Sequence, residues 1–156
     1  MVYHLNSKKV IYDRAKGAHL VIYQGESRSP HEGWHCAPED ETDYYFATFA
    51  SFRKQSFAEG LKNIKVLKGE RRLRVLDVGC AYGLFPFLVN QRGWEATGLE
   101  PGSVQAAFAR DHFRIKVHEG TIEDFATDHK FDVITFWDVL EHLPDPGPVQ
   151  IGRAHV

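Results

Sequence analysis

Hydrophobic and polar positions follow two different rhythms along this chain. Between residue 43 and about residue 67, Phe46, Phe49, Ala50, Phe57, Leu61 and Ile64 recur at helical spacings, with Arg53, Lys54, Glu59 and Lys62 elsewhere. That rhythm predicts an amphipathic helix started by Thr42 or Asp43, with Gly60 weakening or bending it. Beyond Lys68–Arg72, a solvated connection, short apolar runs alternate with helical ones. The run Leu73–Val78 reads as a buried strand that stops in the small residues Gly79, Ala81 and Gly83. Leu84–Val89 reads as a helix, with Pro86 in its first turn and Gly93 past its end. Glu95–Glu100 is a second strand, and Ser103 caps a helix carrying Val104, Ala107 and Phe108 on one face. Ile115–His118 is a short third strand, and Gly120–Phe125 is a loop entering a brief helical turn. Phe131–Trp137 is a fourth strand, apolar on both faces as central parallel strands are. Strands and helices in this order predict an α/β, doubly wound domain.

Residues 1–42 form an N-terminal extension with a weaker pattern. Lys9–Tyr12 and His19–Tyr23 look like two short strands, a hairpin around Asp13–Ala18, followed by a polar loop from Gly25 to Asp43. His31, His35 and Cys36 fall in that loop and invite a zinc reading. A structural zinc site needs four ligands and usually a second close pair, and the chain has no Cys-x-x-Cys, so a solvated loop is preferred.

The 156 residues can bury one ordinary core. With 19 Lys and Arg against 21 Asp and Glu, no global basic field argues for nucleic acid or a membrane surface. Two cysteines, Cys36 and Cys80, make no disulfide framework. No apolar run is long enough to span a bilayer and no signal-peptide core opens the chain, so a cytoplasmic protein is the expectation.

The candidate chemistry sits at Asp77-Val78-Gly79-Cys80-Ala81-Tyr82-Gly83. Small residues between a strand and a helix let backbone approach a ligand, and the helix start offers unpaired N–H groups. A dinucleotide site wants G-x-G-x-x-G, whereas here the small residues fall two apart and Asp77 closes the strand. About twenty residues on, the second strand ends in Glu100, the place for a carboxylate that holds both ribose hydroxyls. D-x-G-x-[GA]-x-G, then Gly98–Pro101, Gly120–Phe125, Phe131–Ile134 and Asp138-Val139-Leu140-Glu141-His142-Leu143-Pro144-Asp145-Pro146 follow in order. Together they resemble the class I S-adenosylmethionine-dependent methyltransferases, most of all the ubiquinone-biosynthesis O-methyltransferase-like group, over residues 43–149.

The resemblance implies a Rossmann-like fold with central parallel strands in the order 3-2-1-4, and S-adenosyl-L-methionine as cofactor. It implies methyl transfer to a small-molecule acceptor, on oxygen or carbon. Asp77, Gly79, Cys80 and Gly83 would line the methionine end of the cofactor, Glu100 the ribose, and Ile122 and Glu123 the adenine. Trp137 would lie beside the cofactor. Ala81 departs from the family's glycine, tolerable at negative φ and costly at positive φ. His142, next to Glu141, would be the base if the acceptor must lose a proton. In relatives the positions of Asp138, Glu141 and His142 are associated with a divalent metal. The plainer readings stay open: Glu123 and Asp124 as charge at a helix start, and Glu141–His142 as a structural corner. An NAD-binding oxidoreductase or epimerase half, and a catalytically silent nucleoside-binding domain, are the alternatives.

The last residues, Ile151–Val156, have no periodicity and back-translate to ATC-GGA-AGA-GCA-CAC-GTC, the pattern of a sequencing adapter. Residues 150–156 therefore read as an assembly scar, with the later strands of such a fold missing. On this expectation the fourth strand has one exposed flank, and the chain is weakly stable with little turnover.

Overall fold

The computed structural model describes residues 50–143 together with strand segments at 2–5, 8–12 and 20–24. The expected cap at Thr42 or Asp43, Phe46 and Phe49 of the expected helix, the His31, His35 and Cys36 loop, and residues 144–156 lie outside the described residues.

Among the described residues seven strands form one sheet. They are β1 (Val2–Leu5), β2 (Lys8–Tyr12), β3 (Leu20–Gln24), β4 (Arg74–Val78), β5 (Glu95–Glu100), β6 (Lys116–Glu119) and β7 (Val133–Trp137). The order across the sheet is β1-β2-β3-β7-β4-β5-β6. Strands β6, β5, β4, β7 and β3 run parallel, which gives the expected 3-2-1-4 order within β6-β5-β4-β7. The flank of β7 is not exposed as expected: β3 pairs with it in parallel from Leu20↔Val133 to Gln24↔Trp137. β2 and β1 add on antiparallel beyond β3. The sequence reading missed this because strand partners far apart in the chain leave no local signal.

Among the described residues three α-helices pack on the sheet: α1 (Ala50–Lys68), α2 (Leu84–Gln91) and α3 (Ser103–Phe113). In α1, Phe57, Leu61 and Ile64 fall on one face and are buried, each worth roughly 1.5–3 kcal/mol of apolar transfer. They meet Val75 and Val133 from the sheet and Leu84, Phe85 and Val89 from α2 in one core cluster. Gly69, at φ +79, ends α1 with its N–H donating to the Lys65 carbonyl. Gly60 does not interrupt the helix. A Cβ there would come 2.5 Å from the Trp137 ring, so the glycine is the notch into which that indole packs.

The other sheet face holds Leu76, Val78, Leu99, Ile134 and Phe136 against Ile122, Phe125 and Leu140. α3 covers Cys80, Ile115 and Val117 through its small residues Ala106 and Ala109. Ser103 is not the cap of α3: Gly102 holds that position without a side-chain cap bond, and Ser103 is the first helical residue.

Candidate functional site

The site grows from the turn between β4 and α2. Gly79, Ala81 and Gly83 all take left-handed φ, at +69, +47 and +81. A Cβ on Gly79 would meet Val139 at 2.4 Å, and one on Gly83 would meet Ala109 at 2.6 Å. Glycine is therefore needed at both for conformation and for space. Ala81 carries the cost that a positive φ implies for alanine. The turn is laced to the next strand, because Gly79 and Cys80 donate N–H bonds to the Leu99 carbonyl at 2.8 and 3.1 Å.

Glu100 completes that lacing. Its Oε2 accepts from the Ala81 N–H at 2.8 Å and its Oε1 from the Gly102 N–H at 2.9 Å. One carboxylate thus ties the turn to the start of α3. Burial pushes the Glu100 carboxyl above its ordinary range, and the two N–H bonds pull it back.

These groups border a hollow of about 540 Å³ at the carboxyl ends of the parallel strands, the usual place and size for a ligand in an open α/β sheet. Val78 and Gly79 form one wall, Leu99, Glu100 and Pro101 the next, and the loop Gly120–Glu123 the third. Asp138, Val139, His142 and Leu143, from the exit of β7, close the fourth. Thr121 steadies the loop by a 2.8 Å hydroxyl bond to Asp124, so Asp124 serves that turn and not the hollow's lining. Leu140–His142 makes a single 3-10 turn, with the His142 N–H donating to the Val139 carbonyl at 2.9 Å.

Of the residues singled out in the sequence, Gly79, Glu100, Ile122, Glu123 and His142 come together around the hollow. Ala81 and Gly83 shape the turn behind its wall. The Cys80 side chain departs from its expected role. It is buried under α3 against Gly98, where a Cβ would come 2.5 Å from its sulfur, and burial raises its thiol far above the ordinary range. Trp137 ends β7, but its ring turns to α1, packing on Phe57 and Phe85 at 4.9 and 5.0 Å between centroids. Its Nε1 has no hydrogen-bond partner among the described residues. The backbone of Glu141 lies in the 3-10 turn, and its side chain is outside the described residues.

Asp77 lies behind the wall and is 2% exposed. The β4–β7 register sets it beside Thr135, whose Oγ1 is 2.6 Å from Asp77 Oδ1. Burial first, with the Glu100 charge adding to it against the Thr135 bond, raises this carboxyl to about 8.

Two buried polar partners of candidate site residues escaped the sequence reading. Arg53 ion-pairs with Asp138, with both side chains largely buried at 14% and 15% exposure. Its position one turn before Phe57 on the buried stripe of α1 was the available signal. Thr135 had none, since cross-strand register cannot be read from composition. The Arg53 pair also bears on the metal that the resemblance implies. Asp138 is neutralised by a guanidinium, and no group of three or more His, Cys, Asp or Glu side chains converges among the described residues. The Glu141 side chain, one of the three groups the resemblance associates with a metal, lies outside those residues.

The family model of a methyltransferase domain matches residues 49–149. A ubiquinone biosynthesis O-methyltransferase of Sodalis glossinidius is 37% identical over 82 residues, covering 48% of this chain and 33% of that protein. The chain thus spans about a third of the length of that relative. The plantazolicin methyltransferase BpumL, solved with S-adenosylhomocysteine, superposes with TM-score 0.60 at 16% identity, covering 69% of this chain and 44% of its own. Magnesium protoporphyrin IX methyltransferase of Synechocystis PCC 6803, solved with S-adenosylmethionine, gives TM-score 0.50 at 16% identity, covering 70% and 66%. These two likenesses concern the fold. Among the described residues no helix is long and apolar enough to cross a membrane.

Proposed function

The chain belongs to the methyltransferase-domain family, and on that premise we propose that the hollow binds S-adenosyl-L-methionine for methyl transfer to a small-molecule acceptor on oxygen or carbon. The observation that carries the proposal is the convergence of Gly79 and Glu100 on one hollow of about 540 Å³. The residues fit the group, because Gly79 brings bare backbone to the hollow's wall, where a side chain would collide with Val139. Glu100 keeps its carboxylate at the hollow's wall, with free lone pairs for a sugar diol. When bound, the cofactor supplies an electrophilic methyl on a sulfonium.

The chain's own residues then have positional tasks. Glu100 holds the ribose, Ile122 and Glu123 meet the adenine, and the main chain at Val78–Gly79 lies along the methionine end. Val139, packed against Gly79, and Leu143 are apolar lining that excludes water, which favours a displacement that disperses charge. His142 is exposed at the mouth, within a turn where it can take a proton from an acceptor hydroxyl, with Glu141 beside it. The catalytic roles of His142 and Glu141 and the identity of the acceptor belong to this proposal, as does the activity of the longer protein type represented by the relatives. A free, buried Cys80 suits a reducing, cytoplasmic setting.

Calorimetric titration with S-adenosylhomocysteine and with NAD tests the reading. Saturable binding of the first and none of the second is expected; the reverse preference makes the site a dinucleotide cleft. Binding without methylation of any phenol, catechol or carbon acid offered leaves a silent nucleoside-binding domain in its place.

A further inference from the structure

We propose that the amino ends of strands β4–β7, opposite the hollow, dock on a membrane surface of anionic lipid headgroups, with the hollow left facing water. The whole chain is nearly balanced, with 19 Lys and Arg against 21 Asp and Glu, but the fold sorts these charges. Strands β6, β5, β4 and β7 run parallel, and each of the three helices ends at the amino end of the strand that follows it. At those amino ends, segments 65–74, 91–95, 111–116 and 128–132 carry nine Lys and Arg against five Asp and Glu. Around the hollow, segments 50–54, 77–84, 98–104, 119–125 and 137–143 carry two against seven. One end is cationic and the other acidic, which orients the molecule on a charged surface.

The cationic end is continuous. Arg71 and Arg74 both reach Asp132, at 2.9 and 3.9 Å. Arg74 also lines a groove with Lys116 and His129, in which Glu95 is the one carboxylate. Lys68 stands close enough to Arg71 that this charge, after burial, holds its ammonium below the ordinary range. Lys65 and Lys68 lie in the last turn of α1, where the helix dipole favours cations. That dipole does not account for Arg72, Lys116 and Lys130, which lie in no helix. All three are exposed and ion-pair with no acid among the described residues, so their charge is directed at solvent.

Apolar residues at the same end choose the partner. The large hydrophobic side chains exposed among the described residues are Val66 at 75%, Leu67 at 41%, and Val104. Val66 and Leu67 are neighbours in the last turn of α1, between Lys65 and Lys68. Nucleic acid offers phosphates to the cations, but its bases stack on aromatic rings and take no benefit from two aliphatic side chains. An anionic bilayer offers both halves of the match, headgroups for Lys and Arg and the acyl boundary for Val66 and Leu67. Two aliphatic side chains bury little alone, and the cations act only within a Debye length of about 8 Å at physiological salt. Together they make an attachment that is weak, reversible and sensitive to salt.

Docking in this sense decides what reaches the hollow. Glu100, Glu123 and Asp138 stand at the far ends of the strands, so the acidic end is turned away from the anionic surface. Ligands then enter the hollow from water and not from the bilayer interior. The docking surface does not depend on which nucleoside the hollow takes; it adds where the protein works and which way it faces there.

Co-sedimentation of the 156-residue protein with two kinds of vesicle is the test: phosphatidylcholine alone, and phosphatidylcholine mixed two to one with phosphatidylglycerol. Binding to the mixed vesicles and not to the neutral ones is expected, with affinity falling at least tenfold between about 0.05 M and about 0.5 M salt. Arg72→Gln combined with Lys130→Gln removes two exposed cations that have no partner to lose, and should weaken binding roughly twentyfold, about fivefold per charge. Val66→Ser leaves the charge alone and should weaken binding by roughly threefold or more. Lys54→Gln removes an exposed cation at the acidic end and should leave binding unchanged. All four positions are exposed, so the variants keep the core intact. Equal binding to both vesicles, binding to neither, a loss in K54Q as large as in the double variant, or wild-type binding by V66S each overturn the proposal. Binding of duplex DNA without binding of the mixed vesicles also overturns it and assigns the cationic end to nucleic acid.

Discussion

Replacing Asp77 by asparagine should stabilise the protein near neutral pH, although it alters a residue at the heart of the fold. In the folded protein the carboxyl is raised from 3.8 to about 8, chiefly by burial. The native state holds this proton more tightly than the unfolded chain does. Stability from the group is therefore fully present at or below the unfolded value and is lost as pH rises toward the folded one. Each pH unit in that window costs about 1.4 kcal/mol, so the cost at pH 7 has an upper bound of about 4 kcal/mol. That is a large part of the roughly 5–15 kcal/mol that holds an ordinary domain together. Asparagine needs no proton and can still bond to Thr135, so it escapes the cost. Urea unfolding followed by circular dichroism from about pH 5 to about pH 8 is the assay. Wild type should weaken steadily with pH, and the advantage of D77N should widen by up to about 1.4 kcal/mol per unit. A difference that stays constant, or that favours wild type as pH rises, refutes the reasoning. A carboxyl that costs so much stability is consistent with retention for the ligand's sake.

Other substitutions test separate parts of the account. Glu100→Ala removes the acceptor of both the Ala81 and Gly102 N–H groups and should weaken S-adenosylhomocysteine at least tenfold by calorimetry, at about 1.4 kcal/mol per factor of ten; unchanged affinity counts against the ribose assignment. Ala81→Gly relieves a side chain at φ +47 worth roughly 1–2 kcal/mol, less roughly 0.4–1 kcal/mol of unfolded-chain freedom, so urea unfolding should show a small net gain, and a loss would contradict the left-handed turn. Gly60→Ala improves helix propensity by about 1 kcal/mol, yet its Cβ would sit 2.5 Å from Trp137. Overpacking of roughly 1–3 kcal/mol should win; a rise in melting temperature would show that the indole has room to move.

Much of the fold was legible because its central strands are short, apolar and punctuated by glycine. The turn at Gly79–Gly83 announced itself through small residues between two hydrophobic runs, and Glu100 through its place at the end of the next strand. What escaped was long-range. The pairing of β3 with β7 joins residues more than a hundred positions apart and leaves no periodic trace. Arg53 looked like a solvent-facing charge until its place on the Phe57–Ile64 stripe, opposite Asp138, made it a buried partner. Gly60 looked like a defect in a helix because the sequence hid the Trp137 ring that it accommodates. In each case the decisive neighbour came from another element.

The central claim is that one hollow, shared by the β4–α2 turn and Glu100, receives the nucleoside. Amide NMR spectra of the labelled protein, recorded while S-adenosylhomocysteine is added, address it directly. Saturable shifts concentrated at Gly79–Gly83, Glu100–Gly102 and Gly120–Glu123 are predicted. Shifts that leave these three segments untouched, whatever else in the protein moves, would contradict the account.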